Sequence, residues 1–78
     1  MDRYIGLDVH ATSCTAVAVS AQGKRLGTHV IETNGATLVE FFKRQAGRLH
    51  VCIEEGPQSG WLVEILSPYV ELRTLSEK

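Results

Sequence analysis

Apolar residues along this chain keep one period in its first part and another after it. The opening run Tyr4-Ile5-Gly6-Leu7-Asp8-Val9 is short and closed by the polar cluster Ala11-Thr12-Ser13, which reads as a strand over Tyr4–Val9 and its turn. Cys14–Ser20 alternates: Thr15, Val17 and Val19 fall on one side, Cys14, Ala16, Ala18 and Ser20 on the other. Small residues along one side imply that something packs close there. Ala21-Gln22-Gly23-Lys24 is a turn, with Gly23 free to take positive φ, and Leu26–Glu32 is a third strand.

After Thr33-Asn34-Gly35 the period lengthens to that of a helix. Leu38, Phe41, Phe42 and Gln45 mark one over Ala36–Ala46. Thr33 or Asn34 is placed to cap it, and Thr37 with Glu40 also fits a capping box. Lys43 and Arg44 lie near the cation-favouring end, and Gly47 suits its termination. Leu49–Ile53 is a fourth strand, apolar on both sides. Gly60–Leu66 is a second helix with Trp61, Leu62 and Ile65 inward, stopped by Pro68, and Val70–Leu75 is a fifth strand.

The fold class is therefore α/β: a mixed sheet in the order β-β-β-α-β-α-β, three antiparallel strands then two parallel ones. This is the order of a ribonuclease H-like sheet, with the first and fourth strands as parallel neighbours. Consecutive crossovers in one direction put both helices on one face. The other face is then expected to expose some of Ile5, Leu7, Val17 and Val19, and self-association, most simply a homodimer, follows.

Seventy-eight residues make one small domain, a size at which stability is marginal. Net charge is −1, so there is no general basic field for nucleic acid or anionic membrane. Cys14 and Cys52 sit in apolar segments without a CxxC partner, as free thiols of a cytoplasmic protein do. No apolar run is long enough to span a bilayer, and no signal-peptide pattern opens the sequence, so no membrane association is expected.

Asp8 is the anomaly, a charge inside an apolar strand. An unpaired buried carboxylate is costly. Either it caps the turn, bonding amides near Ala11 or Thr12, or it lies at the strand's end and faces a cation. Glu54-Glu55 close the fourth strand just before Gly56-Pro57. If the first and fourth strands are parallel neighbours, Asp8 and one of these glutamates face each other across about 5 Å. Like charges that close make chemical sense around a divalent metal.

The segments "YIGLDVHATSCTAVAV", "GKRLGTHVIETN" and "VCIEEGPQSGWLVEILSPYVELR" resemble the N-terminal part of the DEDD transposases of bacterial insertion sequences, a Piv/RuvC-like family. "GLDVH" and "EEGPQSGWLVEILSP" are its specific parts; the rest is only compatible. The resemblance implies a ribonuclease H-like domain that cleaves and joins DNA strands using four acidic residues and Mg²⁺ or Mn²⁺. The first acid matches Asp8. The second matches Glu55, which precedes Trp61 by the family's spacing, with Glu54 as the alternative. Ala11 stands where the family often has lysine. The last two acids should be aspartates, and no aspartate follows Asp8. The resemblance thus implies the front portion of a longer domain, with half a catalytic site, DNA as partner of the complete protein, and no activity in isolation.

Other residues carry simpler readings. His10 is a polar loop residue or touches a metal or phosphate, His29 and His50 are structural, Trp61 is a core anchor or a base-stacking surface, and Lys24, Arg25, Lys43, Arg44 and Arg48 are solvated or, in a full protein, partly in contact with phosphate. Two rival functions stand beside the recombinase. One is a nucleotide-binding domain of the actin and sugar-kinase type, whose first turn usually needs glycines where His10 and Ala11 stand. The other is a non-catalytic module that pairs through a sheet edge.

Overall fold

The computed structural model describes residues 1–54 and 56–75. Its elements are β1 (Asp2–Val9), β2 (Ser13–Ser20), β3 (Arg25–Glu32), α1 (Gly35–Lys43), β4 (Arg48–Glu54), α2 (Ser59–Leu66) and β5 (Glu71–Leu75). The described residues form an α/β arrangement, with two helices and one five-stranded mixed sheet. Across the sheet the order is β3-β2-β1-β4-β5, which differs from the order along the chain. β2 pairs antiparallel with β1 and β3, and β4 pairs parallel with β1 and β5.

Burial explains why β4 lands beside β1 rather than beside β3. β1 buries Ile5 and Leu7, and β4 buries Leu49, Val51 and Ile53. β3 buries only Ile31 and leaves Leu26 and Val30 exposed. Strands with the most apolar surface take the interior, and the strand with least takes the edge.

Alternation assigns the faces. Ile5, Leu7, Cys14, Ala16, Ala18, Ile31, Leu49, Val51 and Ile53 form one core with Leu38 and Phe42 of α1 and Leu62 and Leu66 of α2. Both helices therefore cover the same face. The small side chains of β2, with Cys14 and Ala16 almost fully buried, lie under this layer, where close approach needs little volume. Ile5 and Leu7 belong to the covered face, which corrects their expected exposure. The opposite face carries Tyr4, Gly6, Asp8, Thr15, Val17, Val19, His50, Cys52 and Glu54 by the same alternation, and no helix covers it among the described residues.

Several boundaries differ from the sequence pattern. α1 ends at Lys43, because the Arg44 and Gln45 N–H groups turn back to Phe41 O and Phe42 O, tightening the last turn. Asn34 caps it: the Thr37 N–H donates to Asn34 Oδ1 over 3.2 Å, so the Thr37 and Glu40 box does not set the start. Gly47 lies beyond the helix end, at φ 85°, where a Cβ would collide with the Met1 carbonyl oxygen. That oxygen accepts from the Arg48 N–H at 2.8 Å. Trp61 is 39% exposed, against Gly35, while Leu62 and Leu66 are fully buried. These leucines anchor α2, because the helix turns their side of its surface to the sheet. Val70 is buried in the turn before β5 rather than within the strand.

Candidate functional site

Asp8 is the next-to-last residue of β1, at its C-terminal end. Its neighbours Leu7 and Val9 point to the covered side, so Asp8 points to the open side. Its side chain is 68% exposed. The carboxylate is thus solvated, and the desolvation cost its apolar neighbours suggested does not arise.

Glu54 is the last residue of β4, and it is exposed. The parallel register runs from Asp2 beside Arg48 to Leu7 beside Ile53. One further step along the same register brings Asp8 level with Glu54, at a strand spacing of about 4.8 Å. The two carboxylates also share two concavities. One, of about 200 Å³, is walled by Val9, Leu62 and the Gly56–Ser59 turn. The other, of about 580 Å³, lies over Gly6 on the open face, between Val17 and Cys52. Gly6 deepens it, since nothing lies within 4 Å of where its Cβ would be. Glu55 lies outside the described residues.

The Asp8 carboxylate does not cap the turn through its amides. Its Oδ2 sits 3.2 Å from His10 Nε2. Residues two apart on extended chain share a side, a signal for this pair that the loop reading of His10 passed over. The turn is closed from elsewhere. His10 N–H donates to Ser13 O at 3.0 Å, and Thr33 N–H to Thr12 O at 3.0 Å. Thr33 Oγ1 donates to His10 O at 2.7 Å, and Cys14 Sγ lies 3.3 Å from the same Oγ1. With the hydroxyl proton directed to His10 O, the Cys14 thiol is the donor. Thr33, weighed only as a helix cap, is the peg that holds the loop bearing His10.

Of the other singled-out residues, His50 stacks on Tyr4 with ring centroids 4.7 Å apart. It also lies 3.5 Å from Asp2 and 3.6 Å from Glu71, at the opposite end of the sheet from Asp8. His29, itself exposed, lies beside Phe41 with ring centroids 5.3 Å apart. Arg44 pairs with Glu40 at 3.6 Å and Arg48 with Glu71 at 2.9 Å. Cys14 is buried and Cys52 half-buried, both free thiols.

Carboxylate oxygens are donors for a hard divalent cation. Among the described residues no group of three or more His, Cys, Asp or Glu side chains is arranged to hold a metal; Asp8 and Glu54 make a two-carboxylate arrangement. No described helix is long and apolar enough to cross a membrane. Neither protein-family models nor curated proteins match this chain.

Proposed function

We propose that this chain is the N-terminal portion of a ribonuclease H-like catalytic domain of a DEDD-type transposase, an enzyme that cleaves and joins DNA strands with Mg²⁺ or Mn²⁺. The observation that carries the reading is the placement of Asp8 and Glu54 at the same end of neighbouring parallel strands, on the uncovered face. Supporting it is the sheet order β3-β2-β1-β4-β5, in which only β2 runs against the others. The open face gives a large substrate access to the carboxylates.

Asp8, with Glu55 or Glu54 as the second acid, would hold the cation through its oxygens, and substrate phosphate, water and further acids would complete the shell, as Mg²⁺ commonly requires. The metal, when bound, supplies charge stabilisation and an activated oxygen nucleophile. His10 orients the Asp8 carboxylate through Nε2, and Thr33 fixes the backbone of His10.

The test uses a longer protein that carries this chain at its front, with supercoiled DNA and Mg²⁺ or Mn²⁺. Asp8→Ala should abolish strand cleavage while circular dichroism stays unchanged, and comparing Glu54→Gln with Glu55→Gln identifies the second acid. Cleavage at the unsubstituted rate in Asp8→Ala would refute the reading. The 78-residue chain alone should leave the DNA intact.

A further inference from the structure

We infer that the end of the sheet remote from Asp8 is a contact surface for a nucleic-acid phosphate backbone, held by charge without reading sequence. The inference is independent of the metal-site reading, because it concerns the other end of the molecule and needs no cation. Behind a net charge of −1 lies a separation of charge. Of the eight lysines and arginines, Lys78 is outside the described residues and Arg73 stands beside Cys52 in mid-sheet. The other six are dispersed in sequence, and the fold gathers them at one end. Arg3 and Arg48 lie at the start of β1 and β4, Arg25 opens β3, and Lys24 closes the hairpin before it. α1 runs back toward that end and finishes with Lys43 and Arg44. The far end holds Asp8, Glu32 and Glu54 and none of the six.

Pairing takes up only two of the six. Arg44 faces Glu40 at 3.6 Å and Arg48 faces Glu71 at 2.9 Å. Asp2, the third acid at this end, lies 3.5 Å from His50. Arg3, Lys24, Arg25 and Lys43 join no ion pair among the described residues. The Arg3 Nε is shielded from solvent and has no acceptor there either. Lys24, Arg25 and Lys43 are exposed. Lys43 Nζ rests 5.8 Å from the centre of the Tyr69 ring, a contact that leaves its N–H groups for a further acceptor. From β3 to β4 the row crosses three strand spacings, about 14 Å. It therefore meets several charges of a continuous backbone rather than one small anion. The arginine fork suits phosphate oxygens, and lysine serves as a point charge. Unpaired cations at one end and acids at the other make a local field that the net charge hides. Five residues of β1, about 17 Å, part Arg3 from Asp8. This contact thus takes a separate segment from any held at the carboxylates.

The test is binding of the 78-residue chain to a fluorescent DNA duplex of arbitrary sequence, in EDTA so that no cation bridges the carboxylates to the DNA. Four phosphate contacts make the affinity fall about 10²-fold between about 50 and 200 mM salt. Lys24→Gln and Lys43→Gln, both at exposed positions, should each weaken binding and lower the salt slope by about one, whatever the sequence. Arg73→Gln should change neither. In amide spectra the duplex should shift Lys24, Arg25, Lys43 and Arg48 and leave Asp8 and Glu54 in place. Absence of binding at low salt overturns the inference. So does binding that both glutamine variants leave unchanged, or shifts centred on Asp8 and Glu54. Salt-sensitive self-association that Lys24→Gln and Lys43→Gln abolish, without DNA binding, would assign this end to the acidic end of a second copy and overturn it too. Tighter binding to phosphatidylserine vesicles than to the duplex would do the same by assigning it to a membrane.

Discussion

Asp8 and Glu54 stand level on adjacent parallel strands, one register step beyond the Leu7 and Ile53 pair that the helices bury. The step reverses the side. Leu7 and Ile53 therefore close the core while Asp8 and Glu54 face solvent over the Gly6 hollow. A pair of solvated carboxylates and a packing feature share two strands without competing for space.

Added Mn²⁺ should find this pair. In amide spectra of the chain, paramagnetic broadening should centre on Asp8, His10 and Glu54 at sub-stoichiometric metal, and Asp8→Asn should remove it. With two carboxylates the affinity should be weak, no tighter than the roughly 10⁻⁴–10⁻³ M of the weakest complete calcium sites, since affinity follows ligand charge and number. Broadening centred instead on Asp2 and Glu71 would place the cation at the other end of the sheet.

Thr33→Val keeps the shape and removes the hydroxyl that donates to His10 O and accepts from Cys14. Leaving the part-buried Cys14 thiol without its acceptor, while the exposed His10 carbonyl turns to water, should cost about 0.5–1.5 kcal/mol in urea unfolding. Amide exchange should quicken at His10 and Thr33, the donors that close this loop. Thr33→Ser should restore most of both. Equal stability of the Val and Ser variants would show that the peg holds nothing.

Two glycines with positive φ should respond differently to alanine. Gly23, at φ 87°, has open space around it, so Gly23→Ala should cost only the left-handed backbone penalty of about 1–2 kcal/mol. Gly47, at φ 85°, faces the Met1 carbonyl oxygen. Gly47→Ala should cost more than Gly23→Ala and should also break the Arg48 N–H to Met1 O bond that starts the pairing of β1 with β4. Thermal melts of the two variants side by side give the comparison.

Phe42 is the largest fully buried side chain, lying between α1 and the sheet. Phe42→Ala should cost about 3–5 kcal/mol. A domain of this size has about 4–12 kcal/mol of stability in all, at about 0.05–0.15 kcal/mol per residue, so the variant should lose a large share of it and show a strongly lowered melting midpoint by circular dichroism. Phe42→Leu should stay folded with a lowered midpoint.

Much of the fold is legible in the residues because period reports local structure. The alternation of Cys14, Ala16 and Ala18 against Thr15, Val17 and Val19, and the helical spacing of Leu38 and Phe42, follow from backbone geometry alone. So does the placing of Asp8 on the side opposite Ile5 and Leu7. Element ends were less legible: α1 stops at Lys43 through bonds back to Phe41 and Phe42 that no single residue type announces. Trp61 reads as an anchor by its size, yet Leu62 and Leu66 take that place, since the side of α2 that meets the sheet is set by how the helix lands.

Which side of the sheet would be covered, by contrast, lay beyond alternation. Period says that Asp8 and Leu7 face opposite ways; it does not say which way is in. Both helices settle on the side of Ile5, Leu7 and the small residues of β2, and so Asp8 becomes a solvated carboxylate. The bonds of Thr33 to the distant His10 and Cys14 likewise depend on β3 returning beside β2. Local sequence determines periodicity because it acts through neighbouring dihedral angles. Burial and long-range bonds wait on the packing of elements far apart in the chain, which only the tertiary structure decides.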